Sequence, residues 1–270
     1  MVLFCIIFLS IVLAIVSIFL IPSAGYFFIP IIVLIASFIG FNVMYLLYLF
    51  FLGLFVDMKK TYTEQNKLYN LTTIYSMQWL IGLFNVKVET SGLEKIPHDE
   101  KYMLVYNHTS NFDPIIESWV LRQDNLIHTS KPGNFKKPFA GKVVYRNCYI
   151  PIDRDNNREA AKSILRACNF ISDGKYCIGV SPEGTRNKGS EKELLPFRDG
   201  CFKIALRTKC PIVICELENM SSIKHVNPLK KTKVKMNILD VLYYDDYKDQ
   251  VTHEISERVR NEIQLKLNEN

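Results

Sequence analysis

A chain of 270 residues that is 49% hydrophobic and 22% charged can bury one sizeable core or two small ones. Its net charge of +6 is modest, and it comes with no aromatic-interleaved basic stretch and no zinc-finger spacing, so no nucleic-acid partner is expected. The seven cysteines (5, 148, 168, 177, 201, 210 and 215) form no CxxC pair and are odd in number, which counts against a disulfide scaffold or a metal site and fits reduced thiols in a cytosol-facing domain.

The charge is unevenly placed. Val2 to Val56 contains no Asp, Glu, Lys, Arg or His, so all 33 Lys and Arg and all 27 Asp and Glu lie from Asp57 onward. Val2 to Ile21 is a nearly continuous run of Val, Ile, Leu and Phe, long enough for one helical crossing of a bilayer. Turn formers at Ile21-Pro22-Ser23-Ala24-Gly25 interrupt it, and a second apolar run follows from Tyr26 to Val56. A secretory signal would carry a basic leader and a shorter core, so the pattern predicts a membrane-anchoring helical hairpin over 1–56 and a globular domain over 57–270. The Lys59-Lys60 pair at the end of the second run places that domain on the cytoplasmic side.

Beyond the hairpin, Thr61 to Phe84 reads as a helix, with Leu68, Leu71, Ile74, Met77, Leu80 and Ile81 at three- and four-residue steps. Strands are predicted at Val86–Thr90, Tyr102–Tyr106, Leu126–Thr129, Cys148–Ile152, Tyr176–Val180, Pro211–Glu216 and Val234–Leu242. Helices are predicted at Pro114–Arg122, Arg158–Ile171, Cys201–Arg207 and Val251–Leu267, the last with an apolar stripe of Val251, Ile255, Val259, Ile263 and Leu267. This alternation predicts an α/β fold: a mixed, largely parallel sheet flanked by helices and preceded by the hydrophobic hairpin. The run from Lys230 to Lys235 is either a solvated face or a contact for anionic membrane lipids.

Two strand-to-helix turns carry the candidate chemistry. Asn107-His108-Thr109-Ser110-Asn111-Phe112-Asp113-Pro114 follows a strand, with Pro114 suited to the first helical position and Asp113 to its N-cap. A carboxylate near an imidazole can fix its tautomer and strengthen it as a base. Alternatively, Asp113 caps the helix and His108 merely fills the loop. Ser181-Pro182-Glu183-Gly184-Thr185-Arg186 follows another strand; Gly184 permits close backbone approach, and Arg186 offers a planar fork for phosphate or carboxylate. A plain turn, with an ion pair between Arg186 and Glu183, is the other reading. Lys131 and Arg154 stand at strand ends and add positive charge, whether to a shared anion pocket or to the surface. There is no GxSxG, GxGxxG or HExxH, and the Gly184–Gly189 spacing lacks the lysine of a P-loop.

These segments, in this order, resemble the glycerolipid acyltransferase family. The His-x4-Asp block matches His108 to Asp113, with Asn107 before it. The Lys-bearing stretch ending in Pro-Ile-Asp-Arg matches Lys131 and Pro151 to Arg154; Glu-Gly-Thr-Arg matches Glu183 to Arg186; a Pro-opened apolar strand matches Pro211 to Val213. The resemblance covers about residues 86–216 and extends to Leu195–Gly200, where Asp199 departs from the family's usual non-acidic residue. It implies direct acyl transfer from acyl-CoA or acyl-carrier protein, as donor substrate with no further cofactor or metal. The acceptor would be a lysophospholipid, 1-acylglycerol 3-phosphate, giving phosphatidic acid. His108 would be the base and Asp113 its orienter; Lys131, Arg154 and Arg186 would hold the phosphate, and Glu183, Gly184 and Thr185 would complete the pocket. Glycerol 3-phosphate or another lysophospholipid as acceptor, a non-catalytic lipid-binding protein and a hydrolase are the competing readings. The hydrolase lacks a visible nucleophile.

Overall fold

The computed structural model describes residues 1–20, 28–189, 191–224, 226 and 229–269. The turn expected at 21–25 lies outside them. The helices and strands in chain order are α1 (Val2–Leu20), α2 (Ile29–Leu54), α3 (Lys67–Leu83), β1 (Val86–Ser91), β2 (Met103–Tyr106), α4 (Asp113–Val120), β3 (Leu126–Ser130), α5 (Pro132–Phe135) and α6 (Gly141–Arg146). Then come β4 (Ile150–Pro151), α7 (Asn157–Ser172), β5 (Cys177–Val180), α8 (Lys203–Thr208), β6 (Ile212–Glu218), β7 (Thr232–Leu242), α9 (Tyr244–Tyr247) and α10 (Thr252–Glu269). They form two compact units: Met1–Gly82 with Phe135–Asn147, and Leu83–Asn134 with Cys148–Asn270.

In the first unit, α1 packs along α2, and both are predominantly apolar and carry no charged residue. Their 19 and 26 residues rise about 28 and 39 Å, enough to cross a hydrocarbon core of roughly 30 Å. Phe4, Phe8, Ile15 and Phe19 of α1 and Ile31, Ile35, Ile39 and Phe51 of α2 are exposed. A contiguous apolar surface of this kind is one that lipid covers and water does not, so the unit is membrane-associated.

Helix α3 starts later than Thr61 because Asn66 caps it, accepting from the Leu68 and Tyr69 amides at 3.0 and 3.4 Å. Its packing also differs from a simple apolar stripe: Leu68 and Leu71 are exposed, whereas Tyr69, Thr72, Ser76 and Trp79 are buried. These face a complementary row on α2. Trp79 donates to Asn42 at 2.9 Å, and Tyr69 donates to the Leu52 carbonyl at 3.1 Å. Tyr45 pairs with Ser76 at 2.7 Å and Tyr48 with Thr72 at 2.8 Å. Residues 42, 45, 48 and 52 run against 79, 76, 72 and 69, an antiparallel seam at helical spacing.

The second unit holds a seven-stranded sheet in the order β1-β7-β6-β2-β5-β3-β4. Strands β6, β2, β5, β3 and β4 are mutually parallel; β7 is antiparallel to β6 and parallel to β1. Every residue of β2 and β5 is buried, as expected for central parallel strands covered on both faces. Ile255, Val259, Ile263 and Leu267 of α10 are buried as the stripe predicts, but Val251 is exposed and precedes the helix. Helix α7 is capped by Asn156, which accepts from Arg158 and Glu159. The parallel strands all end at one edge of the sheet, where α/β folds place ligands.

Candidate active site

Strand β2 delivers Asn107 and His108 to that edge. The Asn107 amide is tied in both directions to β6, donating to the Leu217 carbonyl at 2.8 Å and accepting from its N–H at 2.7 Å. This fixes the chain just before His108. Asp113 does not cap α4 as its position suggested. The helix already begins at Asp113, with Phe112 before it, and the carboxylate folds back over the turn. Asp113 Oδ2 accepts from the Thr109 N–H at 2.8 Å and the Ser110 N–H at 2.9 Å, and pairs with His108 Nδ1 at 2.7 Å.

Asp113 is fully buried and the His108 side chain is 22% exposed. Burial raises the Asp113 carboxyl above its ordinary value, while the His108 contact and the two amides pull it down. Nδ1–H donating to Asp113 leaves Nε2 as the imidazole's free base position.

The second turn is stitched to the first. Glu183 accepts the His108 N–H at 2.7 Å through Oε1 and the Leu195 N–H at 3.1 Å through Oε2, and the Asn187 N–H donates to the His108 carbonyl at 2.7 Å. Both Glu183 oxygens thus hold backbone, a positioning role for a residue first placed in the pocket wall. Gly184 has φ +72°, the left-handed region that glycine enters without strain. The stems of Arg154 and Arg198 lie against it: a Cβ there would meet Arg198 Nε at 3.0 Å and Arg154 Cδ at 3.5 Å.

A cavity of about 250 Å³ opens beside them, lined by Arg154, Gly184 and Arg198 together with Asn157, Ile164 and Val180. Burial pushes the Arg154 guanidinium below its ordinary value, and Arg198 pushes in the same direction. Lys131, just before α5, and Thr185 are exposed, and Arg186 is half-buried; none of the three lines this cavity.

Behind the His108–Asp113 pair is a buried polar layer that the motifs do not reveal. Glu117, one turn beyond Asp113 on α4, lies 3.5 Å from His128 Nδ1, and the Tyr106 hydroxyl lies 3.2 Å from the same nitrogen. Burial raises Glu117 well above its ordinary value and lowers His128 to about 3. With both groups driven to their neutral forms across 3.5 Å, the pair is better described as uncharged than as an ion pair. His128 stacks over Gly179, where a Cβ would collide with its ring. The four-residue step from Asp113 to Glu117 was available as a signal. For Arg198 no spacing rule aims a side chain back along the chain onto Gly184. Asp199, the departure from the family pattern, pairs at 3.1 Å with His253 at the start of α10.

A mixed, largely parallel α/β sheet, a His–Asp pair at its edge and a membrane-associated helical unit suit a lipid-modifying enzyme, and residues 87–217 match the family model for Acyltransferase. Among its relatives is the 1-acyl-sn-glycerol-3-phosphate acyltransferase of Haemophilus influenzae, 29% identical over 177 residues, which are 64% of this chain and 71% of that protein. The Escherichia coli K12 protein of the same name is 28% identical over 191 residues, covering 70% and 76% of the two chains. In fold the chain resembles the crystal structure of the 1-acyl-sn-glycerophosphate acyltransferase PlsC from Thermotoga maritima. The TM-score is 0.58 at 17% identity, over 84% of this chain and 88% of that one.

Proposed function

We propose that this acyltransferase moves a fatty acyl group from acyl-CoA or acyl-carrier protein to the free hydroxyl of 1-acylglycerol 3-phosphate, producing phosphatidic acid. The observation that carries the chemistry is the 2.7 Å contact between His108 Nδ1 and the fully buried Asp113 carboxylate. Nε2 takes the proton from the acceptor hydroxyl, and the oxygen attacks the thioester carbonyl. The tetrahedral oxyanion is met by backbone amides and collapses, expelling the thiolate, which recovers the proton from His108. No acyl-enzyme forms. Arg154 supplies positive charge for the acceptor's phosphate and Gly184 shapes the pocket beside it, while Lys131, Thr185 and Arg186, which do not line that cavity, join the site on the motif resemblance. The relatives named for the same reaction support this acceptor.

The membrane helices bring the enzyme to an acceptor and product that reside in the bilayer. Lys59 and Lys60, directly after α2, favour a cytoplasmic catalytic domain, where acyl-CoA and acyl-carrier protein are found. The test is an acyl-transfer assay with purified full-length protein, setting 1-acylglycerol 3-phosphate, glycerol 3-phosphate, other lysophospholipids and monoacylglycerol against both donors. Phosphatidic acid is the expected main product. Equal use of monoacylglycerol, or no transfer to the phosphorylated acceptor, contradicts the proposal.

A further inference from the structure

Arg154 and Arg198 come from loops 44 residues apart in sequence, yet their stems share the face of Gly184. Like charges repel, and a fold that gathers two of them around one cavity normally supplies a counter-charge. Here none is built in: among the described residues neither guanidinium has a carboxylate ion-pair partner, and Asp155 acts on Arg154 electrostatically without pairing with it. The arrangement is held in place. The Arg198 N–H donates to the Pro182 carbonyl at 2.9 Å, which ties its backbone to the Gly184 loop, and its Nη1 reaches toward the Arg154 carbonyl at 3.5 Å. Asn157, the first residue of the sixteen-residue helix α7, also lines the cavity, so the positive end of a helix dipole adds to the field. Gly184 keeps the centre open, since any side chain there would occupy the space between the two stems.

We propose that Arg154 and Arg198 together grip the phosphate monoester of the acyl acceptor over Gly184, which makes Arg198 a specificity-determining residue for phosphorylated acceptors. The proposal rests on the acceptor reading given above and adds a residue to it. Glu183, the residue before Gly184, holds the His108 N–H, so the Gly184 loop is tied to the turn that carries the base, although His108 itself does not line the cavity. That suits a glycerol phosphate, whose phosphate is separated from the reacting hydroxyl by only two carbons and an ester oxygen. In acyl-CoA or acyl-carrier protein the nearest phosphate is a whole pantetheine arm away from the thioester. Ile164 and Val180 give the same cavity an apolar wall.

The experiment uses the full-length protein in lipid nanodiscs and compares wild type, Arg198→Ala and Arg198→Lys. Arg198 is exposed, so both variants are expected to melt like wild type. With 1-oleoylglycerol 3-phosphate and oleoyl-CoA, Arg198→Ala should raise the acceptor KM by about tenfold or more, the loss of one charge-assisted hydrogen bond, and move the donor KM by less than about twofold. Arg198→Lys should recover part of the loss, because the ammonium keeps the charge and lacks the fork. Any turnover of monooleoylglycerol should be unaffected by either change. An unchanged acceptor KM, or a rise confined to the donor KM, overturns the assignment; the latter would give the site to a donor phosphate. A second readout needs no turnover: calorimetric binding of sn-glycerol 3-phosphate without donor should weaken in Arg198→Ala. If wild type fails to acylate the lysophospholipid yet this binding still depends on Arg198, the acceptor reading falls and the anion site stands. Binding that ignores Arg198 removes the site whatever the turnover.

Discussion

At Asp113 one carboxylate oxygen serves the His108 ring and two amides of its own turn. An asparagine carbonyl in the place of Oδ2 can still accept from the Thr109 and Ser110 amides and from His108 Nδ1–H. It carries no negative charge, however, to stabilise the imidazolium that forms as Nε2 takes the proton. Asp113→Asn should therefore lower kcat by about 10²–10⁴-fold while barely moving the melting temperature; a rate within about threefold of wild type would show that the carboxylate only shapes the turn. Glu117 makes a prediction of opposite kind. A carboxyl held above its ordinary 4.5 in the fold keeps a proton that the unfolded chain releases. Its stabilising contribution is full below pH 4.5 and fades as pH rises toward the native value. Gln cannot ionise, so Glu117→Gln should raise the melting temperature at pH 8 and flatten its decline above about pH 5, at about 2–4 °C per kcal/mol. A wild-type pH profile in the variant would mean Glu117 is not buried as the acid. The His-x4-Asp spacing made the catalytic pair legible in sequence, but the direction in which Asp113 turns was not, because capping and back-folding use the same residue type at the same position.

The elements themselves were mostly readable, since β-branched runs and helical stripes report burial directly: all seven predicted strands are present. What was missed has a common physical cause. α5, α6 and α9 are four to six residues long, too short to show a period. In α3 the buried face is mixed: Met77 and Ile81 of the expected stripe are buried, but Tyr69, Thr72 and Ser76 share that face, and Leu68 and Leu71 are exposed. The β5-to-Arg186 turn was legible as a motif, but its embrace by Arg198 depends on tertiary packing alone. Gly184→Ala tests that packing. Positive φ costs a β-carbon about 1–2 kcal/mol, and the new methyl must push the arginine stems aside. Reduced acceptor affinity with a melting temperature lowered by a few degrees is expected, measured by acceptor KM and thermal unfolding. Unchanged kinetics would mean that the space over Gly184 is not used.

Across the whole chain, the sequence boundary at Val56 cuts through the α2–α3 seam. Deleting residues 1–56 uncovers the α3 face that packs on α2, strips Tyr69, Thr72, Ser76 and Trp79 of those partners and leaves the Tyr69 and Trp79 rings exposed to water. The fragment should aggregate on size-exclusion chromatography. A monodisperse fragment with full activity on bilayer substrate would show that neither the anchor nor the seam matters. The central claim is that a membrane-associated acyltransferase acts directly through His108. Its most direct test is the initial rate of phosphatidic acid formation from 1-acylglycerol 3-phosphate and acyl-CoA or acyl-carrier protein, for wild type and for His108→Ala in the same lipid. The account predicts turnover by wild type and a rate at least about 10²-fold lower in the variant, which stays folded and membrane-bound; a His108→Ala enzyme working at the wild-type rate would contradict it.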